Sequence, residues 1–146
     1  MNKPLILAGL LTLLTLLAPA AWADGRAAFE ENCASCHGAD AEGIEGLAPP
    51  LHNADLWKAL GDHRQAYIAG VVTGGMSGTL QSKGSTYEGL VMPPLGYLDT
   101  TTLVEITHYV LHDVNQMGDG PPAALITQYQ ASPPEHAALR KLRNGG

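Results

Sequence analysis

Three kinds of pattern divide the chain. The first is a continuous apolar run. Leu5 to Ala18 is apolar except for Gly and Thr, preceded by Lys3, stopped by Pro19 and followed by Ala21-Trp22-Ala23. A positive start, an apolar stretch and a small-x-small site have the layout of an export signal. At about 1.5 Å per helical residue the run falls well short of a roughly 30 Å hydrocarbon core, so cleavage after Ala23 is expected, not retention as an anchor. Beyond Asp24 no segment is apolar enough to span a bilayer. The expected product is exported, periplasmic and not stably inserted in a membrane.

The second pattern is helical. Gly25, Phe29 and Cys33 are four apart and share one face. Asn53 opens a short helix over Asp55 to Leu60 that carries Trp57. Asp62 and Gln65 form a capping box for a helix through Val72, with Tyr67, Ile68 and Val71 as its apolar stripe. Asp99 caps a final helix from Thr100 to about Asn115, on which Leu103, Ile106, Val110 and Val114 recur every three or four residues.

The third pattern has no period. Between Thr73 and Leu90 the chain is rich in Gly and Ser, and Lys83-Gly84 reads as a turn between two short extended arms. After Asp119, Pro121, Pro122, Pro133 and Pro134 break the sequence. Pro134 can start a short helix with Glu135 in its first turn and Arg140, Lys141 and Arg143 near its end. Apolar residues are few there. The expected organisation is a signal peptide at 1–23, one all-α domain at 24–118 and a loosely attached, proline-containing tail at 119–146, with no internal repeat.

Charge adds a constraint on partners. Without Lys3, residues 24–118 hold four basic side chains (Arg26, Lys58, Arg64, Lys83) against twelve acidic ones, while residues 119–146 hold three against two. An acidic body repels nucleic acid and anionic membrane and suits a partner with a basic docking face. The same excess serves the solubility of a secreted protein equally well.

Both cysteines lie in "NCASCHGAD", residues 32–40. An exported chain with two Cys has the option of one disulfide. A thioredoxin-type redox pair needs a Val/Ile-rich strand before Cys33, which is missing, and zinc needs further ligands at short spacing. Cys33-x-x-Cys36-His37 is instead the spacing of c-type haem attachment, and chance placement in this composition gives it roughly one time in two thousand. The two thiols span the two vinyl groups, and His37 is close enough to serve as the proximal iron ligand.

With these residues the chain resembles the class I cytochromes c over most of 24–118, and the resemblance implies a cytochrome c fold, helices and loops wrapped around one covalent haem c. "GRAAFEENCASCH" matches the family's N-terminal helix, whose Gly and aromatic (here Gly25 and Phe29) pack against the C-terminal helix near Tyr109. "LAPPLHN" follows, and the Pro49 carbonyl is implied as the acceptor for the second nitrogen of His37. The opposite axial ligand has to come from Met76, Met92 or Met117, or from His52, His63, His108 or His112. Met92 is favoured because Pro93 and Pro94 force an extended, stiff segment there, and Met-Pro-Pro before the last helix matches the family's ligand loop. Met76 is placed on a flexible Gly-rich turn and the histidines at the surface. Trp57 is a candidate to cover a haem edge or propionate, and Tyr67 to lie near the ligand side. "GGMSGTLQSKGSTYEGLVMPP" narrows the resemblance to small monohaem cytochromes that accompany periplasmic sulfite dehydrogenases or are fused to copper nitrite reductases.

The implied function is single-electron transfer between a periplasmic oxidoreductase and a respiratory donor or acceptor, through His37/Met92-ligated haem, without enzymatic activity. A single Cys-x-x-Cys-His excludes a di-haem peroxidase. The alternative is a haem with an open sixth site that binds or senses a gas, which requires that Met92 stay off the iron.

Overall fold

The computed structural model describes residues 24–145; the expected signal peptide lies outside the described residues. Helices dominate: α1 (Asp24–Asn32), α2 (Ala34–His37), α3 (Ala54–Leu60), α4 (Arg64–Gly74), α5 (Thr100–His108), α6 (Ala123–Ala131) and α7 (His136–Arg143). Four short strands interrupt them, β1 (Met76–Ser77), β2 (Leu80–Ser82), β3 (Ser85–Tyr87) and β4 (Val91–Met92), paired antiparallel as β1 with β4 and β2 with β3.

Local chemistry explains the boundaries. The Asn53 side chain accepts from the Leu56 N–H at the start of α3, and Asp99 accepts from the Thr102 N–H at the start of α5, each satisfying a donor that the helix leaves unpaired. The expected Asp62–Gln65 capping box does not form. A 3₁₀ turn, Gly61–His63, leads into α4 without a side-chain cap, and the Gln65 amide donates to the Asp119 and Gly120 carbonyls at 3.1 and 3.0 Å. A long-range demand on Gln65 wins over its local one. Lys83 and Gly84 both have positive φ (48° and 82°), the requirement of the two-residue hairpin turn that joins β2 to β3.

The core runs between α1, α4 and α5. Phe29, Leu103 and Leu111 are fully buried, with Ile106 and Val110 nearly so. A methyl on Gly25 would stand 2.7 Å from the Glu105 carbonyl oxygen and 3.2 Å from Tyr109 Cβ, so a residue without Cβ is what lets α1 cross α5 this closely. One turn on, the Phe29 and Tyr109 rings meet at 5.3 Å and 49°, within the tilted geometry that aromatic pairs favour. Beyond His108 the helix continues as a π turn, Tyr109–Val114. It delivers Asn115, buried, to the loop before α3: its Oδ1 accepts from the Asn53 N–H (2.9 Å), while Nδ2 donates to the Leu51 and Val110 carbonyls (2.9 and 2.7 Å).

The C-terminal segment corrects the sequence expectation. Residues 119–145 are not a loose tail. Ile126 on α6 and Leu139 on α7 are fully buried. Gln130 donates to the Gly96 and Leu98 carbonyls, and Leu139 fits where α4 has no side chain at Gly70. His136 bridges α7 to the body, Nδ1 lying 2.7 Å from Ser77 Oγ and Nε2 donating to the Gly74 carbonyl at 3.0 Å, and Arg140 donates to the Ser77 carbonyl at 2.5 Å. Anchoring here combines one leucine in a glycine gap with polar side chains that satisfy carbonyls, and this leaves no apolar period to read.

Candidate functional site

The Cys-x-x-Cys-His stretch is a helical turn that continues α1 after a break at Cys33. Cys33 N–H bonds to the Phe29 carbonyl (2.8 Å), and the Cys36 and His37 N–H groups return to the Cys33 carbonyl (3.1 and 2.9 Å). This turn aims both cysteines and His37 at one cavity of about 370 Å³, within the range of small-molecule and cofactor sites. The thiols are not joined in a disulfide; Cys33 is buried and Cys36 exposed. Burial, and secondarily the neighbouring Cys36, push the Cys33 thiol up to about 11, so it is protonated at neutral pH.

His37 is held from behind. Its Nδ1 lies 2.9 Å from the Pro49 carbonyl oxygen. A carbonyl can only accept, so Nδ1 carries the proton and Nε2 keeps its lone pair, the state in which imidazole binds a metal. Burial lowers the pKa of the ring against the smaller opposing effect of the Pro49 bond, which keeps it neutral. The loop that supplies Pro49 is fixed in turn: Leu51 and His52 N–H groups both bond to the Ala41 carbonyl at 2.9 Å.

Trp57, Tyr67, Met76 and Met92 line the same cavity, as do Pro49, Ile68, Val72, Leu80 and Tyr87. Cys33, Cys36, His37, Pro49, Trp57, Tyr67 and Met92 therefore line one largely apolar cavity. Trp57 is buried, but its indole N–H donates to the Leu51 carbonyl at 2.9 Å, so it offers a ring face and no hydrogen bond. The Tyr67 ring meets it edge-on at 6.2 Å, and its hydroxyl accepts from Arg143 Nη1 at 3.1 Å.

The methionines are closer rivals than the sequence suggested. Met76 is not on a flexible turn: it is buried in β1, with its Cα directly opposite that of Met92 in β4. Residues paired this way project to the same side of the ladder, so both thioethers belong to one wall. Met92 is half-buried. After Pro93 and Pro94 the chain re-attaches through Leu95 N–H to the Val72 carbonyl at 2.8 Å. Met117, His52, His63, His108 and His112 are not on the wall. His108 also departs from the expected surface position. It is buried, stacked on His112 at 4.7 Å, and its Nδ1 accepts from the Gly120 N–H at 3.3 Å.

Sequence reasoning missed Asn115, which pins Leu51 and Asn53, and Arg143, which reaches the wall from α7. Asn115 was visible as the polar residue ending the last helix. Arg143 had no local signal.

A family model described as cytochrome c matches residues 22–112. The chain belongs to the cytochrome c family. A search of curated proteins finds no significant relative. The family carries electrons on covalently bound haem c, which is the cofactor of this cytochrome. The donor set suits it: two unpaired thiols, one neutral imidazole with a free Nε2 and two thioethers around an apolar wall. The mostly helical architecture is that of the cytochrome c fold, with α6 and α7 lying beyond the matched region. Among the described residues no helix is long and apolar enough to cross a membrane.

Proposed function

We propose that this cytochrome is a periplasmic one-electron carrier whose haem is tethered by Cys33 and Cys36 and held axially by His37 and Met92. The observation that carries the reading is the convergence of both thiols, the Pro49-oriented imidazole and a methionine on one apolar cavity. When bound, haem c supplies a one-electron Fe(III)/Fe(II) couple. The protein supplies the rest. Covalent tethering by Cys33 and Cys36 prevents loss of a cofactor outside the cell. The Pro49 carbonyl fixes the tautomer and orientation of His37 and raises its basicity. A thioether from Met92 favours the reduced state and raises the potential. Met92 is preferred to Met76 because Pro93 and Pro94 remove two N–H donors and hold its segment extended. The apolar wall keeps water away, which limits reorganisation on electron transfer.

The partner we infer is a periplasmic oxidoreductase such as a sulfite dehydrogenase, docking through a basic face. The acidic body and the Gly74-to-Pro94 resemblance support this. Substitution of Met92 by Ala tests the ligation. Met92→Ala should keep covalent haem, lower the midpoint potential and let carbon monoxide bind the reduced protein rapidly at neutral pH, while Met76→Ala changes neither property. The reverse result assigns the ligand to Met76, and rapid carbon monoxide binding to the unmutated protein assigns an open sixth site.

A further inference from the structure

Arg143 is the one permanently charged side chain on the cavity wall among the described residues. It comes from α7, thirty-one residues past the end of the family match. Its place is fixed by the helix repeat. His136, Arg140 and Arg143 fall at i, i+4 and i+7 and so share a face, and all three donate to the body. Leu139, four residues before Arg143, locks the register from the buried side. The guanidinium ends half-buried between α4 and β2, with Nη1 donating to the Tyr67 hydroxyl and Nη2 to the Gln81 carbonyl, each at 3.1 Å. The cysteines line the same cavity, from the turn at Cys33 and from α2.

Among the described residues no acidic side chain lines this cavity, so the charge has no carboxylate partner among its described walls. A guanidinium has five donors, and two acceptors leave it unsaturated. The Tyr67 hydroxyl, while accepting from Arg143, still has its own O–H to donate. Trp57 Nε1, by contrast, is already used, donating to the Leu51 carbonyl. Haem presents two carboxylates, at the macrocycle edge away from the vinyl groups that thiols take. A guanidinium with donors to spare, beside a hydroxyl that can still donate, is the donor set for such an anion.

We propose that Arg143, with Tyr67, binds a haem propionate, so that the C-terminal helix completes the cofactor site and sets its potential. This rests on the haem c reading and extends it to a segment outside the family match. Arg143 is a cofactor-binding residue of this chain, delivered by α7 specifically to neutralise a carboxylate in an apolar setting.

The test compares holo Arg143→Gln, Arg143→Lys and Lys141→Gln by midpoint potential from pH 5 to 9 and by haem spectrum. Lys141→Gln removes a charge from the same helix at an exposed residue that is not on the wall. Loss of the Arg143 charge should reduce the equilibrium constant for haem reduction about tenfold, close to 59 mV for one electron. It should also raise the propionate pKa, so that the potential of Arg143→Gln climbs as pH falls while the parent stays flat between pH 6 and 8. Arg143→Lys should keep part of the effect, and Lys141→Gln should match the parent. An unchanged potential in Arg143→Gln, or equal drops in Arg143→Gln and Lys141→Gln, overturns the proposal, and both results leave haem binding intact. A protein that never acquires covalent haem would refute the underlying reading instead.

Discussion

Replacing Gly70 by Ala sets two opposed effects against each other at the junction of α4 and α7. Inside a helix Ala is favoured over Gly by about 1 kcal/mol. Here, however, the added methyl would stand 2.6 Å from Leu139 Cδ2 and 3.3 Å from Pro134 Cγ. Leu139 is fully buried, so relieving the contact means displacing a packed side chain, and overpacking of that kind costs about 1–3 kcal/mol. The expected net effect of Gly70→Ala is a loss of up to roughly 2 kcal/mol. Leu139→Ala alone leaves a void and should cost about 2.7–5 kcal/mol. With both changes the new methyl occupies part of the space left by the leucine. The clash disappears and Gly70→Ala becomes stabilising by up to about 1 kcal/mol. The cycle thus predicts a coupling of roughly 1–3 kcal/mol and a change of sign. Urea unfolding of the four holo proteins, followed by far-ultraviolet circular dichroism with the slopes compared, measures it. If Gly70→Ala has the same effect with and without Leu139, α7 is not seated on α4 and the account of the C-terminal segment is wrong.

Two further expectations follow from polar anchors. Asn115→Ala strands the Asn53 N–H, while the Leu51 carbonyl keeps the Trp57 indole as a donor, and at about 1–3 kcal/mol for a buried group left unsatisfied it should lower stability by roughly 1–3 kcal/mol in the same urea assay; a loss below that of an ordinary surface change would show that water replaces the asparagine. The Thr102 hydroxyl, then the Thr102 N–H, hold the Asp99 carboxyl below its usual range. A depressed folded pKa means stabilisation that is complete above the unfolded value of about 3.9 and is lost as pH falls through the folded one. The melting-temperature deficit of Asp99→Ala should therefore be widest at neutral pH and narrow below about pH 4, and a deficit constant from pH 7 to pH 3 would mean that the ionised carboxylate is not the cap.

Much of the site was legible because its chemistry is local. Cys33, Cys36 and His37 occupy a single turn, and Pro49 and Met92 sit in loops that prolines make stiff whatever surrounds them. Helices α3 and α5 announced themselves by caps and by period. What escaped depends on distant partners. Gln65 fits a capping box by spacing, yet its amide is claimed by the Asp119 and Gly120 carbonyls. Met76 looked mobile among glycines, because the strand that orders it, Val91–Met92, is fifteen residues away and only two residues long. His108 is buried by Gly120, whose approach no helical wheel contains. Helix α7 shows the limit most clearly. Its hold on the body comes from Leu139 filling a missing side chain and from His136, Arg140 and Arg143 donating to α4 and the strands, and a basic, alanine-rich sequence of this kind reads as solvated until its neighbours are known.

The seating of α6 and α7 also decides where this module can be cut. Excision at residue 112 or 118, the boundaries that family likeness and proline content recommend, would strip cover from Gly70 and Gly74 on α4 and from the back of the Met76 strand. Transplants and chimaeras built on the shorter fragment would carry a raw apolar flank into solution, and the smallest transferable unit extends through Arg143.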